Sequence, residues 1–206
     1  MTQQIKLTRR LAMLGAMTAL GGCSAVAALN SAAQPLDTYD LAPAVGATGG
    51  RRSSRTLLVA RPEASAAIGT DRIMVKPDAT SVTYLPDARW SDELPAVFQS
   101  LLVRSISGTG RLGYVGRSEG GPIANTALLV RMDAFEVRVL GEGSFEVVVD
   151  VALTLLDDRT QRVTGTRSFA QAAVAVDDSP TAIVTAFQSV LDVLLPEMAN
   201  WAAGRA

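Results

Sequence analysis

Phe145-Glu146-Val147-Val148-Val149-Asp150-Val151-Ala152-Leu153-Thr154-Leu155 is the stretch that decides the fold. Phe145, Val147, Val149, Val151, Leu153 and Leu155 occupy every second position, with Glu146, Asp150 and Thr154 between them. Successive side chains of an extended chain point to opposite sides, so this is a long strand with one face against a core. Upstream, Leu128 to Leu140 also alternates, but its apolar set moves from Leu128, Val130 and Met132 to Phe135, Val137 and Val139. A one-residue shift of that kind predicts a bulge or bend near Ala134. Gly141-Glu142-Gly143 joins the two strands as a hairpin loop, and Asp157 to Thr160 turns the chain into a third strand, Gln161 to Val176.

Shorter strands precede these. Tyr39 to Leu41 is one candidate; Thr56 to Ala60 is an apolar run stopped by Arg61-Pro62; Ile73 to Val75 and Val82 to Leu85 flank the turn signal Pro77-Asp78. Two segments have helical spacing instead. Ser91 to Ile106 sets Leu94, Val97, Phe98, Leu101 and Leu102 on one stripe, with Ser91 as the expected N-cap and Gly108 beyond its end. Ser179 caps a second helix with Pro180 at its first position, and Ile183, Val184, Phe187, Val190, Leu191, Leu194, Leu195 and Met198 follow at spacings of three and four. Pro196 is expected to kink or interrupt it. One apolar stripe per helix and one apolar face per long strand predict an α+β two-layer sandwich: a largely antiparallel sheet with two main helices packed on one face.

The amino terminus is of another character. Lys6, Arg9 and Arg10 precede a small apolar run, Leu11 to Gly22, and then Cys23, the single cysteine, follows Leu20-Gly21-Gly22. This is the layout of a bacterial lipoprotein export signal. About twelve apolar residues are too few to span a bilayer core that needs roughly twenty. Residues 1–22 therefore read as a cleaved leader and Cys23 as the lipidation site, where two or more acyl chains give stable anchoring. Thr8-Arg9-Arg10-Leu11 is compatible with twin-arginine export as well as with the general secretory route. Ser24 stands where an aspartate would retain such a lipoprotein at the inner membrane, which points to the outer membrane, facing the periplasm. Residues 23–37 read as a lipidated tether reaching on the order of 50 Å at most, and residues 38–206 as a single periplasmic domain. Ala42 to Arg55, with Gly46, Gly49, Gly50 and Arg51-Arg52, reads as an exposed loop.

Composition narrows the chemistry. The chain has 19 Lys+Arg, 20 Asp+Glu and no histidine; loss of the three leader bases leaves a mildly acidic product, which argues against a nucleic-acid partner. Without histidine, and with Cys23 acylated, the commonest general base, metal ligand and thiolate are missing. No catalytic group, metal centre or cofactor is expected, and the paired acids Asp157-Asp158 and Asp177-Asp178 read as turn residues. Tyr84, Arg89 and Trp90 are the candidate partner-binding residues, because these types are enriched among interface anchors; the alternative is that Trp90 staples the start of the helix to the sheet and Tyr84 is half-buried. Trp201 is read as continuing the helical stripe from Met198. Val148, Ala152 and Leu156, on the less apolar face of the long strand, are candidates for lipid or partner contact.

Tyr39-Asp40-Leu41-Ala42-Pro43, Leu57-Leu58-Val59-Ala60-Arg61-Pro62, Asp71-Arg72-Ile73-Met74-Val75, Tyr84, and Trp90 leading to Leu94-Pro95 occur in that order after the lipidation signal. In this the chain resembles the ABC-type transport auxiliary lipoproteins, the group that includes paraquat-inducible protein C. It departs from that pattern at Lys76 and in the glycine-rich stretch 46–52. The resemblance implies an accessory periplasmic lipoprotein that works with an MCE-domain protein and with an ABC transporter ATPase and permease to move lipids or other hydrophobic molecules; no enzymatic activity is expected, and a second copy of the chain, in a homo-oligomer, is a further candidate partner. An outer-membrane assembly or scaffold lipoprotein and a direct periplasmic lipid carrier are the competing readings.

Overall fold

The computed structural model describes residues 36–206, so the leader, Cys23 and most of the tether lie outside the described residues. Nine strands form one mixed sheet: β1 (Asp37–Tyr39), β2 (Thr56–Val59), β3 (Glu63–Ala64), β4 (Arg72–Lys76), β5 (Thr83–Trp90), β6 (Tyr114–Arg117), β7 (Thr126–Val139), β8 (Phe145–Asp157) and β9 (Arg162–Val174). Helix α1 (Leu94–Gly108) lies between β5 and β6, and α2 (Pro180–Arg205) closes the chain.

The long meander β7–β8–β9 is antiparallel, as the alternation predicts. Elsewhere the expectation of a largely antiparallel sheet is corrected, because β2, β3 and β4 all run parallel to β7 along its other edge. Leu57 stands beside Thr126, Glu63 beside Arg131 and Val75 beside Val137. These three short strands are thus one interrupted strand, broken at Pro62, which has no N–H to donate, and again at the loop before Arg72. Strand β6 pairs in parallel with β2, and β5 pairs antiparallel with β4. Neither β3 nor β6 announces itself in sequence, since a two-residue strand and Tyr-Val-Gly-Arg carry no alternation.

The bulge is where it is expected. Met132 pairs with Val151 and Ala134 with Asp150, so Asp133 is an extra residue on β7. It shifts the phase by one, and Phe135 joins Val130 and Met132 in the core. Phe135 stacks on Phe187 of α2 at 4.6 Å between centroids, while Phe98 of α1 meets it edge-on at 6.2 Å. A second irregularity lies in β5: Met74 pairs with Tyr84 and Arg72 with Arg89, leaving Leu85 to Ala88 opposite Ile73 alone. Asp87 takes a left-handed conformation there, φ 56°, which aspartate tolerates better than most residues.

Both helices differ in detail from their sequence patterns. Helix α1 begins at Leu94, with Pro95 in its first turn and no side-chain cap; Ser91, the expected cap, instead donates to Asp40. The Leu94 N–H is satisfied by the Thr70 carbonyl at 3.0 Å. In α2 the Ser179 hydroxyl accepts from Ala182 N, and the helix runs through Pro196 without interruption. This helix has the length and hydropathy of a membrane span, yet Ile183, Phe187, Leu191, Leu195, Met198 and Ala202 have no exposed surface: it is a core helix. The segment 42–55 is a mostly exposed loop between β1 and β2, as expected, and its first part is tied along α2 by Ala42 N to Gln188 and Ala47 N to Asn200.

Charges inside and at the turns are matched. Glu136 is 3% exposed on β7, with Arg138 Nε at 2.9 Å and Lys76 Nζ at 3.9 Å. Asp157 and Asp177, read as turn residues, accept from Thr160 and Ser179 respectively. Those hydrogen bonds hold both carboxyls below the usual range. Asp78 is depressed in the same way by Ser81 and Thr80.

Replacing Phe135 with alanine is expected to cost about 3–5 kcal/mol in urea unfolding, as for other large buried aromatics. Lys76→Met with Arg138→Met leaves the Glu136 carboxylate buried and uncompensated; a loss of about 1–3 kcal/mol is expected, partly restored by adding Glu136→Leu. The depressed carboxyls contribute stability that is present above the ordinary carboxylate range and lost as pH falls through their lower folded values. Melting temperature therefore falls on acidification below about pH 4, less steeply in the Asp157→Asn, Asp177→Asn variant.

Candidate docking surface

Arg89 and Trp90 close the carboxyl end of β5 while Tyr84 lies near its amino end, before the bulge, and the structure separates their roles. Trp90 follows the second of its two readings, a staple in the core and not a partner anchor: it is 1% exposed, with its ring edge-on to Phe187 at 5.3 Å and to Phe135 at 6.0 Å. The Trp90 backbone N–H donates to the Asp71 carbonyl at 2.7 Å. Packing of this kind fixes where α1 starts, because the helix begins four residues later. Tyr84 is half-buried; its hydroxyl donates to the Ala67 carbonyl at 3.4 Å and Arg72 lies over its ring at 5.8 Å. The Arg72 Nε is buried without a hydrogen-bond partner, so this guanidinium is held by the ring and by its bond to the Leu85 carbonyl.

Arg89 alone of the three is exposed. Its Nε donates to Thr38 of β1 at 3.2 Å, and Asp71 lies 3.8 Å from its Nη1. Around it lies a cleft of about 460 Å3 lined by Gly69, Thr70, Asp71, Asp92 and Glu93. Arg61 pairs with Glu93 across the neighbouring surface. The result is an open, mixed-charge groove, suited to polar contact with a partner and lacking the apolar walls of a small-molecule site.

Gln99 and Glu119 form a second polar pair that the sequence patterns did not single out. Gln99 is 2% exposed on α1 and donates to both the Val59 carbonyl and Glu119, each at 2.9 Å. Burial opposes ionisation of Glu119, but the Gln99 donation, hydrogen bonds from the Glu119 backbone and Ser118, and the Arg117 charge together outweigh it and keep the carboxyl low. The pair locks α1 to β2 and the β6–β7 loop. Among the described residues no three or more His, Cys, Asp or Glu side chains gather as a metal site.

The space that lipid carriage would need between helices and sheet is occupied by Trp90, Phe98, Phe135 and Phe187, none above 1% exposed. On the other side of β8, Ala152 is 6% exposed while Val148 and Leu156 are half-buried. A cleft of about 260 Å3 there is walled by Arg131, Thr154, Thr166 and Ser168 as well as by Leu129 and Ala152. Trp201, as expected, continues the α2 stripe, 6% exposed and edge-on to Phe169 at 6.0 Å.

Comparison with known proteins agrees with this architecture. A crystal structure of a Xanthomonas campestris protein of the DUF330 family superposes with a TM-score of 0.72 at 25% identity, covering 82% of this chain and 96% of that one. A second, of an uncharacterized protein, gives a TM-score of 0.63 at 17% identity over 84% of this chain and 100% of the other; at that identity only the fold is shared. No curated protein matches. The model of the ABC-type transport auxiliary lipoprotein component family matches residues 39–199, from the last residue of β1 almost to the end of α2. With nearly the whole described domain inside that match, the chain belongs to the ABC-type transport auxiliary lipoprotein component family.

Proposed function

We propose that the protein is a lipid-anchored periplasmic accessory of an ABC transporter that moves lipids or other hydrophobic molecules across the envelope together with an MCE-domain protein. The observation that carries this reading is the family match over residues 39–199, placed behind the lipidation signal that ends at Cys23. Residues 1–22 are the leader, 23–37 the tether, and 38–206 one domain held at the outer membrane. The domain acts by docking rather than by chemistry, and Arg89 with its surrounding groove is the surface we assign to the partner. An open polar groove supports that role, because rim charges steer and orient a complex without needing a deep apolar pocket. Filled packing beneath both helices favours docking over direct carriage of an acyl chain.

Gentle solubilisation of membranes containing a carboxyl-terminally tagged protein is expected to recover an MCE-domain protein with ATPase and permease subunits. Cys23→Ala should move the protein to the soluble periplasmic fraction, and Arg89→Glu should lower recovery of the partners without changing membrane attachment. Recovery of outer-membrane assembly proteins alone, or of stoichiometric lipid without protein partners, would replace the reading with a scaffold or a carrier.

A further inference from the structure

One end of the sheet is built from five strands in succession: Tyr114 of β6 beside Thr56 of β2, Leu57 beside Thr126 of β7, Thr126 beside Asp157 of β8, and Asp157 beside Arg162 of β9. Six exposed arginines gather at this end. Arg51, Arg52 and Arg55 lead into Thr56, Arg159 and Arg162 flank the β8–β9 turn, and Arg205 at the end of α2 lies against Gly165 of β9. A seventh, Arg111, ties the group together: its carbonyl accepts from Ser53 N at 2.8 Å, and its guanidinium lies against Gly204. Among the described residues, none of these seven has a carboxylate within ion-pair distance. Asp157 and Asp158 are the acids of the turn itself, and Asp157 is engaged by Thr160.

Three uncovered apolar side chains stand among these cations: Ile123, 91% exposed, Val163, 61%, and Tyr114, 43%. The β6–β7 loop brings Ile123 there, since Gly121 lies beside the Tyr114 hydroxyl and Asn125 N donates to the Thr56 carbonyl at 2.9 Å. A protein partner is ordinarily met by a patch whose centre is depleted of charge. Here the charge is dense and the apolar groups are single and scattered. A lipid surface fits that pattern: guanidinium forks match phosphate oxygens, headgroups need no fixed register, and isolated apolar side chains enter the boundary between headgroups and acyl chains.

We infer that this arginine-rich end docks on an anionic phospholipid bilayer, with the arginines on headgroup phosphates and Ile123 and Val163 inserted between them. Neither the transport role nor acylation of Cys23 is needed for it. Tyr39 stands at the other end of the domain, against Thr181 in the first turn of α2, and the chain then follows that helix until Ala47 meets Asn200 near its last turn, just before Arg51. The helix between is about 39 Å long at 1.5 Å per residue. Contact at the far end would give the domain an orientation that a tether by itself does not impose.

The test uses the mature chain from residue 23 onward with Cys23→Ala, exported behind a cleavable secretory leader, and vesicles of phosphatidylcholine alone or mixed with phosphatidylglycerol. The protein is expected to sediment with the mixed vesicles only, and to be released as salt shortens the screening length to about 3 Å near 1 M. Arg51→Gln with Arg52→Gln and Arg159→Gln should weaken binding at least about tenfold, and Ile123→Ser by about tenfold. Arg104→Gln, on α1 away from this end, should leave it unchanged, with circular dichroism confirming the fold of each variant. Absence of binding to the anionic vesicles, equal binding by the triple variant, or retention on immobilised polyglutamate without vesicle binding would overturn the inference.

Discussion

The single extra residue in β7 governs the rest of the molecule. Asp133 stands opposite nothing on β8, and this resets the alternation so that Met132 and Phe135 both face the core. Without that shift Phe135 would point away from Phe187 and Phe98, and Glu136 would enter the helix side as a charge without a partner. Outside, Arg131 and Asp133 bridge the bulge with two hydrogen bonds of 2.8 and 2.9 Å. The irregularity is thus held from both sides, by aromatic stacking within and by a bidentate ion pair without.

Strand β7 is also the element on which both edges of the sheet depend. One edge is a continuous antiparallel meander, strong enough in local pattern to be read directly. The other is a single line of parallel pairing broken into β2, β3 and β4, with loops stepping out where Pro62 and the segment before Arg72 leave the ladder. Such breaks are where the surface acquires detail: one leads to the Arg89 groove, and the strand ends beside β2 and β6 form the arginine-rich end. A regular meander supplies the rigid body, and an interrupted strand supplies the faces that can meet other molecules.

These features suit the docking role proposed for this member of the ABC-type transport auxiliary lipoprotein component family, which needs a domain that keeps its shape. A core closed by four aromatic rings keeps that shape. The buried Glu136, paired to Arg138 and Lys76, and the Gln99–Glu119 pair add polar contacts that are satisfied in one arrangement only, which favours a unique packing over a merely compact one.

Sequence by itself determined whatever depends on local periodicity and local chemistry. The β8 alternation, the phase shift near Ala134, the Ser179-Pro180 helix start, and the turn roles of Asp157 and Asp177 are each written within a dozen residues. Tertiary structure alone decided what depends on distant partners. Parallel pairing of β2, β3 and β4 along β7 leaves no local mark, because its hydrogen bonds join segments some sixty to seventy residues apart. Ser91 looks like a cap until Asp40 arrives to bind it; Trp90 looks like an anchor until two phenylalanines enclose it. Arginines scattered among acids along the chain become one basic end only when five strands finish together, since charge acts through space and not along sequence.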